Sequence, residues 1–219
     1  MPDLMPVLLS MVTIVLIALL LGFALGTHRN VRRGNDLLRW LEGGLPLLGK
    51  TTTLKWLGSS AVQLDITKPN RPFGQAQIVV VLEPRDVGWL WAWFRSRGRR
   101  DFVILRGRLE RSPRFEIEAG DSRGWTGRDR LDKLDLDSWT QADWGDENVQ
   151  IAHTTDADSE AVRSVWEELR SKTGGVWRLS VRRTSPHLEV HILPPGGDAP
   201  ADLVIRAFTE LADMAVTRN

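Results

Sequence analysis

Four stretches of this chain match patterns that do chemistry elsewhere. Gly44-Leu-Pro-Leu-Leu-Gly49-Lys50-Thr51 fits G-x-x-x-x-G-K-[ST]. That pattern cradles phosphates when a buried strand enters the loop and a helix leaves it. Here a helical segment precedes it, Leu and Pro fill the loop, and Thr51 onward reads as a strand. The stretch 78–82 followed by Glu83 only imitates the acidic strand that would hold Mg²⁺. Gly120-Asp-Ser122-Arg-Gly124 fits the hydrolase nucleophile elbow, which joins a buried strand to a helix. The strand before it alternates Phe115, Ile117 and Ala119 with Glu116 and Glu118, and Trp125-Thr-Gly after it is not helical. A polar turn accounts for it better.

His187, Glu189 and His191 share one face of a strand, but the two histidines are then ~13 Å apart. They cannot share a metal bound at ~2 Å. The strand reads as half-buried, with its polar side to water. Asp129, Asp132, Asp135 and Asp137, followed by Asp143, Asp146 and Glu147, would attract Ca²⁺. They lack the loop Gly and the spaced bidentate Glu of an EF-hand. No catalytic residue, metal or cofactor is therefore expected. The sequence leaves catalysis open and leans against it.

Cysteine is absent. This excludes disulfides, zinc–thiolate sites, cysteine nucleophiles and lipoprotein acylation. Net charge is +1, so nothing pulls the whole chain towards nucleic acid, and no nucleic-acid partner is expected.

The element that must position everything else is the run 4–26, which carries no charged residue over 23 positions. As a helix at ~1.5 Å per residue it is long enough for a hydrocarbon core of ~30 Å. A cleaved signal peptide is the competing reading. Ala24-Leu-Gly26 offers small residues for cleavage, but the segment before the run has no basic residue and holds Asp3. The expected anchor is 1–27. Arg29, Arg32, Arg33 and Arg39 follow it, which places that side in the cytoplasm and the N-terminus outside. The expected location is the cell membrane, single-pass, with Arg29, Arg32 and Arg33 on anionic headgroups. Ala18, Gly22 and Gly26 form a small-xxx-small stripe that suits self-association into a homo-oligomer.

Residues 28–50 read as a basic juxtamembrane segment containing a short amphipathic helix, 37–42, capped by Asn35 or Asp36. Residues 51–219 read as an α+β soluble domain: an antiparallel sheet with helices packed on one face. The order strand, helix, strand, Ser-Pro turn, strand occurs twice, suggesting βαββ repeats at 75–120 and 148–193. Val87, Leu90, Trp91 and Phe94 align with Val162, Val165, Trp166 and Leu169. In the first unit, hairpin strands flank Ser112-Pro113; in the second, they flank Ser185-Pro186.

The first helix carries Trp89, Trp91 and Trp93, followed by Arg95, Arg97, Arg99 and Arg100. It is apolar nearly all round, so more than its sheet-facing stripe needs cover. One reading is core packing. The other sets Trp at headgroup depth and Arg on the anionic surface, with Trp89, Trp91, Trp93, Arg95 and Arg97 as contacts.

The anchor, then Leu38-Arg-Trp-Leu-Glu, Leu47-Leu-Gly-Lys, Lys55-Trp-Leu-Gly-Ser-Ser and Leu82-Glu-Pro-Arg-Asp86, resembles a group of uncharacterised membrane-anchored prokaryotic proteins. The resemblance covers most of the chain and implies no activity. The function expected is thus a membrane-tethered cytoplasmic domain, a non-catalytic interaction or scaffold protein whose partners are the bilayer and an unidentified protein. The alternatives are an enzyme with its site in 120–148, or nucleotide binding at 44–51.

Overall fold

The computed structural model describes residues 4–127, 139–196 and 199–217. The chain is α+β: one long N-terminal helix, then a nine-stranded antiparallel sheet with helices.

Helix α1 runs without interruption from Leu4 to Glu42. It is long and apolar enough to cross a membrane, and its apolar stretch is not buried against the rest of the chain. The expected separate helix at 37–42 is instead the end of α1. The reason is a buried stripe, Gly26, Asn30, Gly34, Leu37 and Leu41, which recurs at three- and four-residue steps along one helix face. Docking of that stripe carries the helix through Asn35 and Asp36. Gly34 would ordinarily weaken a helix by about 1 kcal/mol relative to Ala. It is required here because a Cβ would come within 2.6 Å of the Trp56 ring. The helix ends at Gly43-Gly44, where the Gly44 N–H donates to the Leu41 carbonyl at 2.9 Å.

A short helix α2 (Leu45–Leu48) leads into β1 (Gly49–Trp56), β2 (Ala61–Pro69) and β3 (Phe73–Val81). Helix α3 (Gly88–Ser96) and strand β4 (Phe102–Leu109) follow, then β5 (Ile117–Asp121), β6 (Thr140–Ala142) and β7 (Val149–His153). Helix α4 (Ser159–Lys172), β8 (Val176–Val181), β9 (Leu188–Ile192) and α5 (Ala201–Val216) complete the chain. The strand order is β1-β2-β3-β4-β9-β8-β5-β7-β6.

Strands β4 and β5 do not pair, although Ser112-Pro113 suggested a hairpin. The β8–β9 hairpin lies between them, with β4 on β9 and β5 on β8. The two stretches aligned as repeats differ in burial as well. Val162, Val165, Trp166 and Leu169 of α4 are buried, whereas α3 has no buried residue.

Alternation builds the core. Val62, Leu64, Ile78, Val80, Val103, Leu105, Leu179, Leu188 and Val190 point to one side of the sheet, where α4, α5 and the end of α1 cover them. Phe208 of α5 stacks on Phe73 at 5.3 Å. The Asp158 carboxylate starts α4 by accepting from the Ala161 N–H at 3.0 Å, a cap worth roughly 1 kcal/mol. The other side of the sheet holds a smaller apolar cluster, Phe102, Ile104 and Trp177, packed with Val79, Val81 and Trp125.

Candidate functional site

The junction between α1 and the sheet is built from buried charge. Strand β3 ends in the apolar run leading to Glu83, and Pro84 turns the chain. Arg85 then reaches across to Asp101, just before β4. Its guanidinium donates to both Asp101 oxygens, at 2.9 and 3.0 Å, and to the Asn30 side-chain oxygen of α1 at 3.1 Å. Asp101 also accepts from the Glu83 N–H at 2.8 Å and from Arg33 Nε at 3.4 Å. Glu83 is buried. It accepts from the Trp91 indole N–H and from Arg95 at 3.0 Å. Two buried carboxylates thus hold α1, the turn and α3 together. The fork of Arg85 serves this better than Lys would, because it satisfies both oxygens of one carboxylate in a fixed plane.

These contacts sort the residues expected at a membrane surface. Arg33 and Arg95 are ion-paired to Asp101 and Glu83, and Trp91 spends its N–H on Glu83. Arg29 and Arg32 are exposed on α1. Trp89 is 74% exposed and Trp93 45% exposed on α3. Arg97 lies over the Trp93 ring at 4.0 Å, and Phe94 turns inward against Trp125 at 5.5 Å. Burial lowers the pKa of Arg99, against the pull of Glu83 and Asp101.

Of the small-residue stripe, Ala18 and Gly22 are exposed, and nothing lies within 4 Å of a Cβ built on Gly22. Gly26 is buried against the chain's own domain, where a Cβ would run into the Arg85 carbonyl.

A second charged array lies on the sheet face away from α4 and α5. Cross-strand register places Asp65, Gln77, Arg106, Glu189, Ser180 and Glu118 in one row. Arg178 bridges Glu118 and Glu189. Arg106 Nε donates to Glu189 at 2.7 Å, and Arg182 pairs with Glu118 at 3.2 Å. Asp65, Gln75, Gln77, Arg106, Arg108 and Glu189 line a cleft of about 690 Å³. His191, expected on a wet strand face, is buried in central strand β9 beside Glu189 at 3.0 Å. His187 Nδ1 accepts the Leu109 N–H at 3.0 Å.

Burial works against the ionised form of Glu189. The His191 hydrogen bond and the Arg178 and Arg106 charges outweigh it and hold the carboxyl down at about 2. Burial also lowers His191, more than Glu189 raises it. The neutral imidazole then carries its proton on Nε2, towards Glu189. His187 is lowered in the same sense by burial and by Arg108.

The signs follow. An unfolded histidine takes up a proton below about 6.5 that the folded one refuses, so stability falls as pH drops from about 6.5. Glu189 adds a second loss between its ordinary 4.5 and its folded value of about 2. Urea midpoints should therefore fall from about pH 7.5 to 5.5, and His191→Gln should shrink that fall. A midpoint that is flat or rises over this interval would contradict the burial of a neutral His191.

The other motifs resolve simply. Between Gly44 and Lys50 lies α2, with Leu48 buried, and Lys50-Thr51 begins a strand rather than a helix. Ser122 follows β5 in a turn. Asp129, Asp132, Asp135 and Asp137 lie outside the described residues. Pattern reading missed Asn30, Arg85 and Asp101 at the junction and Arg178 on the sheet, and it gave Glu83, Glu118 and Glu189 other roles. Glu118, Arg178 and Glu189 carry one sequence signal, a charge alternating with apolar residues in a strand, whereas Asn30, Arg85 and Asp101 sit in polar stretches and carry none. No family model matches this chain, and comparison with curated proteins finds no match.

Proposed function

We propose that this chain is a single-pass, membrane-tethered protein whose C-terminal domain sits against the cytoplasmic leaflet as a non-catalytic interaction or scaffold module. The observation that carries the reading is the placement of Trp89 and Trp93. They are exposed on α3, and α3 is fastened through Glu83, Arg85 and Asp101 to the stretch of α1 that follows its apolar run. Indole rings favour headgroup depth, and Arg97 beside Trp93, with the exposed Arg29 and Arg32 of α1, suits an anionic surface. Arg97 over Trp93 adds a cation–π contact, and Phe94 meets the same ring at 4.8 Å, so the indole is held in place while part of it stays exposed. Ala18 and Gly22 remain the candidate face for association within the bilayer.

The test is tryptophan quenching in the full chain, reconstituted in nanodiscs whose acyl chains are brominated near the headgroup. Quenching should fall clearly in Trp89→Phe/Trp93→Phe and stay unchanged in Trp166→Phe, which alters a buried core ring. Equal quenching in the surface double variant would refute the surface contact. The chain has no cysteine, so Ser171→Cys provides a single label for orientation. It should react with an impermeant maleimide only from the cytoplasmic side.

A further inference from the structure

We propose that the open edge of β1 is a docking strand for an extended, acidic segment of a protein partner. The sheet has two edges, and they are built differently. Strand β6 is three residues long. Strand β1 has eight residues, no proline, and a constant register with β2 from Gly49↔Pro69 to Trp56↔Val62. Among the described residues, no strand pairs with its outer side.

The Leu57 N–H donates to the Ala61 carbonyl at 2.9 Å, which sets the phase of the ladder. By the two-residue period, Lys55, Thr53 and Thr51 bond to β2, while the N–H and C=O groups of Thr52, Leu54 and Trp56 face outward. Leu54 is 47% exposed at the centre of this edge. Such an edge accepts an added strand through main-chain hydrogen bonds.

Charge selects the occupant. Three of the chain's five lysines, Lys50, Lys55 and Lys68, lie on β1 and β2. Strand β1 has no acidic residue, and Asp65 of β2 already accepts from Gln63 and Gln77. Edge lysines repel an identical edge and attract an acidic one. The tether adds a second argument against a second copy, and this one rests on the membrane reading above. Strand β1 begins at α2, past the far end of α1, and finishes with Trp56 against Gly34. It therefore runs back towards the span. Two copies in one bilayer present β1 in the same direction and cannot pair it antiparallel. A partner segment of six to eight residues, alternating Val or Thr with Glu or Asp, meets the edge without either conflict.

The probe is a fluorescent eight-residue peptide alternating Thr and Val with Glu, titrated onto the full chain in nanodiscs. Its control carries Lys in place of Glu. The acidic peptide should bind at least tenfold more tightly and slow amide exchange at Thr52, Leu54 and Trp56. Leu54→Pro removes one outward N–H, leaves the β2 ladder in place, and should weaken binding tenfold or more. Unchanged exchange in β3 and β4 shows that this variant is folded. Lys50→Glu/Lys55→Glu should reverse the charge preference. Binding of neither peptide, equal binding of both, or indifference to Leu54→Pro would overturn the proposal. A dimer abolished by Leu54→Pro would also overturn it, in favour of a second copy. None of these readouts depends on tryptophan depth, so they fail or succeed separately from the surface contact of α3.

Discussion

Replacing Arg178 by leucine should lower the stability of the domain by about 3–5 kcal/mol, the cost of stripping the partner from a buried ion pair. The effect is large because one guanidinium serves two carboxylates. Glu118 is fully buried and Glu189 nearly so, and Arg178 donates to both. Without it, Glu118 keeps Ser180 at 2.8 Å and Arg182 at 3.2 Å, and Glu189 keeps Arg106 and His191. Neither set replaces a cation shared between adjacent strands. Arg178→Lys should cost roughly half as much, since a point charge cannot span both acceptors in one plane. Urea unfolding of the full chain in micelles, followed by exchange in β5, β8 and β9, gives the measure. A loss under about 1 kcal/mol for Arg178→Leu would mean that both carboxylates are solvated.

Gly26→Leu and Gly22→Leu should behave oppositely, although both lie on one small-residue stripe. At Gly26 a side chain meets backbone, the Arg85 carbonyl and the Asp86 Cα. Backbone cannot swing aside as a side-chain tip can, so the cost should reach about 3 kcal/mol, the upper end for overpacking. The expected signature is loss of exchange protection around Asn30 and in the turn 83–87, because α1 must lift from the Arg85–Asp101 contact. Nothing crowds Gly22, so Gly22→Leu should leave that protection intact. Its only expected effect is on crosslinking between copies within the bilayer. If Gly26→Leu left protection unchanged, the docking of α1 through Gly26 would be wrong.

Sequence pattern alone reached several features because they rest on local chemistry. The uncharged run 4–26 needs no partner to be recognised as an apolar helix. Helix α4 is legible from Asp158 at its start and the spacing of Val162, Val165, Trp166 and Leu169. The β8–β9 hairpin is legible from two alternating strands around a Ser-Pro turn. Class follows from these, as α+β with an antiparallel sheet. The tryptophan-rich helix was legible as a helix, but its sequence left core packing and surface exposure open, and only the fold leaves Trp89 and Trp93 exposed.

Only the tertiary structure decided the rest. Glu83 looked like a faint metal ligand and became the acceptor for Trp91 and Arg95, a role set by where α3 lands. Asp101 and Arg85 lie 16 residues apart, and no local rule pairs them. Glu189 and His191 alternate with Leu188, Val190 and Ile192, the signature of a strand with one wet face. That face is buried because β9 inserts between β4 and β8, which bring Arg106 and Arg178 over it. Alternation tells which side chains share a face, but not whether water lies beyond it. That depends on strand order, and strand order is set by long-range pairing that no residue specifies alone.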